Sequence, residues 1–302
     1  MPSGYEGFPS LADVNLFLLQ LFTGLALGSV YVLLAIGLSL IFGMLTVVSF
    51  AHGAFFMVGA YIGVYQYGLT GNFWISLVTV PLAVGTLGLL TERFLVRPLY
   101  GRGIDYPLLL TFGLSYVLVE VIRMLFGVEG VPMSTPAGLR GAVNMGVGQF
   151  PLYRLFLILA TALVIGGLWL LIERTRFGLI IRAGARDPEI VRVLGIDVSR
   201  VWLLVFGLGT AIAGLSGILA APIRAVTPEM GIPVLVESFV VTVVGGMGSL
   251  AGAVVAGLLV GVVFSLTSLY APDFAETSIF VLMALVLLVR PQGLFGRAGL
   301  MG

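Results

Sequence analysis

The chain has 302 residues, of which 59% are apolar and 10% are charged, and its formal net charge is +1. A soluble domain carries about 25% charged residues, so this chain cannot cover itself with a solvated surface and is predicted to be an integral membrane protein. Cysteine and lysine are absent from the sequence. Their absence excludes a disulfide framework, a thiolate site, a P-loop and a lysine Schiff base within the chain.

Long apolar runs without strand-like alternation predict helices rather than a β-barrel. The first run, residues 14–91, contains no charged side chain and is long enough for three spans of about 20 residues each. Two polar interruptions divide it: SFAHG at 49–53 and GLTGN at 68–72. The sequence predicts eight to ten spans in all, and those we assign lie near residues 15–44, 54–69, 73–92, 106–126, 151–172, 201–222, 234–246, 250–269 and 275–289.

A second interruption occurs near the C-terminus. The uncharged run 238–272 is too long for one crossing, and GGMGSLAG at 245–252 splits it into a short segment and a longer one. The predicted fold is therefore an all-α polytopic membrane protein, a single transmembrane domain over residues 1–302, with broken or re-entrant segments near 49–53 and 245–249. No clear internal repeat is visible, although both glycine-rich breaks resemble the interrupted segments of transporter halves.

Arginine is concentrated in three regions, which predicts that these regions are cytoplasmic. Three arginines lie in the loop 92–105, six lie in the loop 173–200, and Arg290 and Arg297 are C-terminal. The remaining loops carry few arginines and several acids, so they are predicted to face outward. With nine crossings, the N-terminus would be outside and the C-terminus inside.

The larger arginine-rich loop contains ARDPEIVRVLGID at 185–197, which carries the signals of a short helix. Asp187 suits the N-cap, Pro188 suits the first helical position, and Glu189 suits the positive helix end. Gly195 is a natural stop signal. The loop is therefore predicted to contain a helix that lies outside the membrane.

This predicted helix, at about residues 187–194, is amphipathic. Ile190, Val193 and Leu194 follow one another at spacings i, i+3 and i+4, which places them on one face. That face could lie on the lipid surface or on the rest of the bundle, or it could dock a cytosolic partner. A chain that has no nucleotide site but has a docking helix suggests a permease powered by a separate ATPase.

Three charged residues within the predicted spans are candidates for function, because ionisable groups are costly in a membrane and often functional. Glu120 and Arg123 are one turn apart and could neutralise each other near the outer interface as an intramembrane ion pair. Glu237 lies near the outer end of the short segment and has no obvious partner nearby in the sequence.

The only histidine, His52, lies within the first break, next to the predicted helix start at Gly53. A single histidine without cysteine argues against a zinc site. GLSG at 214–217 matches the surroundings of the rhomboid-protease serine, but there the histidine follows the serine and here it precedes it. His52 is interpreted as the polar cap of a helix break, with either a structural hydrogen-bonding role or a direct contact with substrate.

Four stretches carry a family resemblance: SFAHGAFFMVGAY (49–61), ARDPEIVRVLGID (185–197), VVGGMGSLAGAVVAGLLVG (243–261) and VRPQGLFG (289–296). In this order and spacing they resemble the permease subunits of ABC importers for branched-chain amino acids. The resemblance extends over residues 15–296. It implies a multi-pass protein of the bacterial inner membrane that translocates leucine, isoleucine and valine.

The resemblance also implies partners. These are a second permease, similar or identical, two cytosolic ATPases and an extracytoplasmic substrate-binding protein. ATP and Mg²⁺ would be bound by the ATPases, and this chain would bind no cofactor, metal or nucleic acid itself. The helix at 187–194 would be the coupling helix that docks on an ATPase.

Two positions depart from the pattern of this family. The residue before FAHG is commonly Asn and is here Ser49, and the residue after AHG is often acidic and is here Ala54. Relatives carry urea, short amides or other amino acids, so these substrates are alternatives.

The expected mechanism is alternating access along a pathway lined by the broken elements, because irregular backbone is tolerated at membrane depth only where it faces protein or water. The amides at the helix start near 53–54 could meet a substrate carboxylate. An ion-coupled secondary transporter or channel is an alternative of a different class, and a structural membrane subunit without a pathway is another. The candidate pathway residues are Ser49, Phe50, His52, Gly53, Glu237, Gly245, Gly246, Gly248 and Ser249.

Overall fold

The computed structural model describes residues 11–45, 47, 49–103, 105–146 and 148–296. Arg297, which the sequence assigns to the cytoplasmic C-terminus, lies outside the described residues. The helices of the described part are α1 (Leu11–Leu45), α2 (His52–Thr70), α3 (Phe73–Thr91), α4 (Asp105–Phe126), α5 (Leu152–Arg174), α6 (Arg176–Arg186), α7 (Pro188–Val193), α8 (Val198–Ala220), α9 (Gly231–Gly245), α10 (Leu250–Tyr270) and α11 (Ala275–Val289).

The predicted all-α polytopic class is confirmed. Within the part of the chain that the structure describes, seven helical segments are long and apolar enough to cross a membrane. The shorter α9 and the less apolar α2 complete the nine predicted segments, and α11 has the predicted bounds. The sequence did not predict α6 or the small antiparallel hairpin of β1 (Ala142–Asn144) and β2 (Gln149–Pro151) between α4 and α5.

The helices place the loops at two ends of the bundle. At the arginine-rich end, Arg97 donates to the backbone oxygen of Ser199 at 3.0 Å, and the side chain of Met44 contacts Gly184. The C-terminal segment 290–296 is at the same end, since the Leu294 amide donates to Val244 O. We define this as the arginine-rich end, and the end that holds residues 127–151 and 221–230 as the opposite end.

The core consists of two half-bundles. The first half-bundle contains α2, α3, α4 and α8, and the second contains α1, α9, α10 and α11. The most extensive helix packing in the described chain is between α1 and α10, followed by that between α3 and α8. Both contacts depend on glycine: a Cβ atom on Gly28 would lie 2.8 Å from Gly257 O, and one on Gly88 would lie 1.9 Å from Thr210 Oγ1. Helix α5 lies against both half-bundles.

The helix directions in the two half-bundles form an inverted repeat, which was not visible in the sequence. Helix α1 runs toward the arginine-rich end and α8 runs away from it, and the same inversion relates α2, α3 and α4 to α9, α10 and α11. Helix α1 packs on α10 as α8 packs on α3, so each half-bundle takes one helix from the other repeat. The two half-bundles contact each other where α1 packs on α8 and where α2 packs on α9.

Candidate functional site

Two helices begin inside the bundle, and their first turns meet. A Cβ atom on Gly53, in α2, would lie 2.0 Å from Gly231 O at the start of α9, so the two backbones are in direct contact and only glycine fits. The imidazole of His52 binds the backbone oxygen of Leu34, which lies about 16 Å from the Leu45 end of α1 at 1.5 Å per residue. The meeting point is therefore deep in the bundle, between the half-bundles.

Neither of these helix starts has a side-chain cap. The N-cap residues are Ala51 for α2 and Met230 for α9, and neither side chain accepts a bond from the first turn. By contrast, Asn72, Asp187, Asp197 and Ser249 cap α3, α7, α8 and α10. Two positive helix ends thus converge without a side-chain cap, and such ends favour an anion.

His52 is completely buried at this meeting point. Its Nε2 atom lies 3.1 Å from Leu34 O, and because a carbonyl can only accept, Nε2 carries the proton. In the neutral ring the Nδ1 atom is then an acceptor, and it has no partner among the described residues. The hydroxyl of Ser49 is likewise buried without a partner. Both candidate residues therefore present unused polar atoms at the break.

Phe50 forms an aromatic cluster on the side of the break that faces the arginine-rich end. Its ring centroid is 5.9 Å from that of Phe112 on α4 and 5.8 Å from that of Phe239 on α9. Its amide donates to Thr111 Oγ1 at 3.1 Å. The cluster spans the two half-bundles, since α4 belongs to the first and α9 to the second.

Glu237 has a partner that the sequence analysis missed. Arg224 Nη1 lies 3.2 Å from Glu237 Oε2, and Arg224 Nη2 donates to the Tyr31 hydroxyl at 3.1 Å. Arg224 lies in the segment between α8 and α9, thirteen residues before Glu237. The available signal was a lone arginine between two apolar helices, which we had assigned to an outward loop.

The second glycine-rich break lies elsewhere in the bundle. Gly246 and Gly248 have φ of 98° and 80°, a conformation that favours glycine, and a Cβ atom on Gly246 would lie 2.4 Å from the Gly296 amide nitrogen. Gly245 packs on the first turn of α10, and Ser249 Oγ accepts from the Gly252 amide. The structure thus brings residues 245–249 to the arginine-rich end and not to the meeting point of α2 and α9.

Glu120 and Arg123 belong to a larger charge cluster at the opposite end. Arg123 Nη1 binds Glu120, and Arg123 Nη2 lies 2.6 Å from Glu229 Oε1 in the 221–230 segment. The hydrogen bond from Arg123 lowers the pKa of the Glu229 carboxyl. All three side chains are substantially exposed to solvent or lipid, at 35–53% of their full area.

Helix α7 has the capping geometry that its sequence implies. Asp187 Oδ1 accepts from the amides of Glu189 and Ile190 at 2.9 and 3.0 Å, Pro188 is the first helical residue, and Gly195 has φ of 79°. The helix is shorter than the predicted 187–194 and follows directly on the unpredicted α6.

The apolar face of α7 is uncovered. Ile190, Val193 and Leu194 are 59%, 88% and 71% exposed, whereas Val191 is buried at 3%. The helix therefore contacts the rest of the chain through Val191 and leaves the other three side chains open for contact with another surface.

A network of side chains connects α7 to the first half-bundle. The guanidinium of Arg192 lies 5.7 Å from the centroid of Trp202 on α8, and Trp202 packs edge-on against Tyr100 at 5.0 Å. The Tyr100 hydroxyl donates to Glu92 at 3.0 Å. Burial raises the pKa of Tyr100 above its usual range.

Glu92 is the centre of this network. It is fully buried at the start of a π-helical turn that continues α3 (Glu92–Val96), and Arg97 binds both of its carboxylate oxygens at 3.3 and 3.1 Å. Arg97 also donates to Ser199 O at the start of α8. The network holds α3 and α8 together where α7 attaches, and the sequence analysis assigned these charges only to a cytoplasmic loop.

The chain is similar to known proteins of one family. Residues 20–290 match the family model described as the permease component of branched-chain amino acid transport systems. The chain is 30% identical to the high-affinity branched-chain amino acid transport system permease protein BraD of Pseudomonas aeruginosa, over 95% of this chain and 98% of BraD.

Two proteins of Escherichia coli K12 with the same system name also match. LivH is 30% identical over 93% of this chain and 96% of LivH, and LivM is 27% identical over 88% of this chain and 67% of LivM. No solved structure matches the chain.

Proposed function

Because the chain belongs to the family of branched-chain amino acid transport permease components, we propose that it is a permease subunit of an ABC importer for leucine, isoleucine and valine. ATP hydrolysis takes place on separate cytosolic ATPase subunits, and a binding protein delivers the substrate. The arginine-rich end faces the cytoplasm, in agreement with the positive-inside rule.

The observation that carries this proposal is the uncovered apolar face of α7. The chain lacks lysine, so it has no P-loop of its own, and the exposed Ile190, Val193 and Leu194 provide a surface on which a cytosolic ATPase can dock. The similarity to both LivH and LivM, two permease proteins with one system name in one organism, supports pairing with a second permease.

The substrate path, which we call the route, runs between the two half-bundles. It passes the meeting point with Ser49, His52 and Gly53, and then Phe50 and Glu237, the latter on α9, which runs from the meeting point toward the arginine-rich end. The turn of Gly245, Gly246, Gly248 and Ser249 lies at its cytoplasmic end. The converging helix starts of α2 and α9 favour a carboxylate, and the Nδ1 acceptor of His52 suits an ammonium group. Both groups are present in an amino acid.

Coupling follows from the network between α7 and the first half-bundle. ATP binding closes the ATPase pair, and α7 moves with the ATPase surface. Trp202, Tyr100 and Glu92 transmit this motion to α3 and α8, which pack closely enough to move as one body. The first half-bundle then tilts against the second, and the route opens alternately to each side.

The test is uptake of labelled leucine into proteoliposomes that contain the complete transporter. We expect uptake only with ATP and with loaded binding protein, and competition by valine and isoleucine but not by urea or acetamide. Competition by urea or acetamide would point to the alternative substrates. Ion-driven uptake into liposomes that hold only this chain would contradict the proposal and favour a secondary transporter or channel.

A further inference from the structure

One ion pair connects the two half-bundles. Of the ion pairs among the described residues, that of Arg224 and Glu237 is the one that joins opposite half-bundles. The others lie within the first half-bundle, between it and its attached 221–230 segment, or within the loop 173–200.

Arg224 moves with the first half-bundle. Its amide donates to Ala220 O at the end of α8, and two residues later Val226 O accepts from the Val131 amide that follows α4. The Tyr61 hydroxyl of α2 also contacts Val226 O. The segment that carries Arg224 is thus attached to α2, α8 and the end of α4.

The partners of Arg224 belong to the second half-bundle. Glu237 is on α9, and Tyr31, which is fully buried on α1, accepts a hydrogen bond from Arg224 and lies under its guanidinium at 5.6 Å from the ring centroid. The side chains of Arg224 and Glu237 keep 25% and 16% of their area exposed. The pair therefore bridges the half-bundles, and a part of both side chains stays uncovered by the chain.

The chemistry of the pair matches the proposed substrate. An amino acid carries one carboxylate and one ammonium, and each can replace one member of an Arg–Glu pair without leaving a buried charge unpaired. A substrate without both charges would leave at least one side chain uncompensated, which is costly away from water.

We propose that Arg224 and Glu237 form a gate of the route, and that a zwitterionic amino acid opens it by ion-pair exchange. The carboxylate of the substrate binds Arg224, and the ammonium of the substrate binds Glu237. Tyr31 holds the guanidinium in place as a positioning residue. This inference rests on the proposed function, because it assumes that the chain carries amino acids between its half-bundles.

The first experiment fixes the gate shut. The chain has no native cysteine, so the double variant Arg224→Cys/Glu237→Cys can be bridged with a short bifunctional thiol reagent in the complete transporter. We expect cross-linking to abolish the reduced leucine uptake of this charge-free variant and reductive cleavage of the linker to return it to the level measured before cross-linking. The matched control is Gln20→Cys/Ser265→Cys, because these residues bond each other within the second half-bundle. Cross-linking the control should leave uptake unchanged.

The second experiment separates substrate exchange from a purely structural tie. Glu237→Gln and Arg224→Gln each leave one charge unpaired, and the double variant leaves none. A structural tie predicts that the double variant recovers both thermal stability and transport. Ion-pair exchange predicts that thermal stability recovers while the leucine carried per ATP hydrolysed stays about tenfold below wild type, as for loss of a charge-assisted hydrogen bond.

Either of two results would overturn the gate: undiminished uptake by the cross-linked Arg224–Glu237 variant, or a wild-type transport ratio in the double neutral variant. Failure of the proposed function is distinguishable, since the wild-type transporter would then take up no leucine with ATP and binding protein. If wild-type uptake is present, both experiments report on the gate alone.

Discussion

The meeting point of α2 and α9 and the exposed face of α7 are the two regions that the sequence marks for function, and they have opposite surroundings. At the meeting point Gly53 and Gly231 are in backbone contact and His52 has no exposed surface. On α7, Ile190 and Val193 are more than half exposed. One region finds its packing partner within the chain, and the other does not.

This difference separates two kinds of substitution. A larger side chain at the meeting point has no space and must push the half-bundles apart, so folding and transport should fail together. A polar side chain on α7 removes nothing that the chain itself needs, so the subunit should fold and only its assembly should fail. The predictions below test this separation, beginning with the largest effect.

Gly53→Ala should have the largest effect. Its Cβ atom would lie 2.0 Å from Gly231 O and 2.8 Å from the Leu235 Cβ atom, and overpacking of this kind costs about 3 kcal/mol or more where backbone must move. We expect a lower thermal unfolding temperature of the purified transporter and loss of uptake. Gly68→Ala is the control in the same helix, because nothing lies within 4 Å of that site. Equal unfolding temperatures for the two variants would contradict the close contact.

Ile190→Asp combined with Leu194→Asp should abolish association with the ATPases and leave the subunit folded. Both side chains are exposed, so the change costs the subunit little, whereas an ATPase surface that covers them would have to bury two carboxylates. Copurification of the ATPases with the subunit measures the effect. Leu69→Asp should retain them, because Leu69 is similarly exposed but lies in the last turn of α2, at the opposite end. Unchanged assembly of the double variant would remove α7 from the docking surface.

These two regions also show what can be predicted from a sequence of this kind. The spans and the caps of α7 depend on local signals, namely apolar run length, the Asp187–Pro188 start and the Gly195 stop. Each of them is present within a few residues of chain, and the structure places the helices within a few residues of the predicted bounds.

Contacts between distant residues could not be predicted in the same way. Arg224 bonds Tyr31, which is 193 positions away in the sequence, and Arg97 bonds Ser199, which is 102 positions away. The residues next to either arginine in the sequence do not indicate its partner. The inverted repeat was missed for a related reason. Its two copies share a helix order, in reversed directions, and close glycine packing. Many sequences satisfy both, and in a chain with 42 glycines the packing motifs are not distinctive.

His52→Ala should have an intermediate effect, because it removes one bond between the half-bundles and leaves their glycine contacts intact. The imidazole binds Leu34 O and packs on Gly37. We expect leucine uptake to slow by at least several-fold, with a smaller loss of thermal stability than for Gly53→Ala. His52→Phe keeps most of the volume and removes the bond, so it separates packing from hydrogen bonding. Wild-type uptake by His52→Ala would limit the residue to a packing role.

The smallest effect is expected for Glu229→Gln, in the exposed charge cluster with Arg123. Exposed pairs contribute little, and Arg123 keeps its bond to Glu120. Because the pKa of Glu229 is lowered in the folded chain, its contribution is present near neutral pH and is lost as the pH falls through that pKa. The unfolding temperatures of wild type and variant should therefore differ slightly at about pH 7 and converge only once the pH has fallen below the usual pKa of Glu, about 4.3. Loss of transport in Glu229→Gln, comparable to that in the Arg224 and Glu237 variants, would mean that this outer cluster also acts on the route.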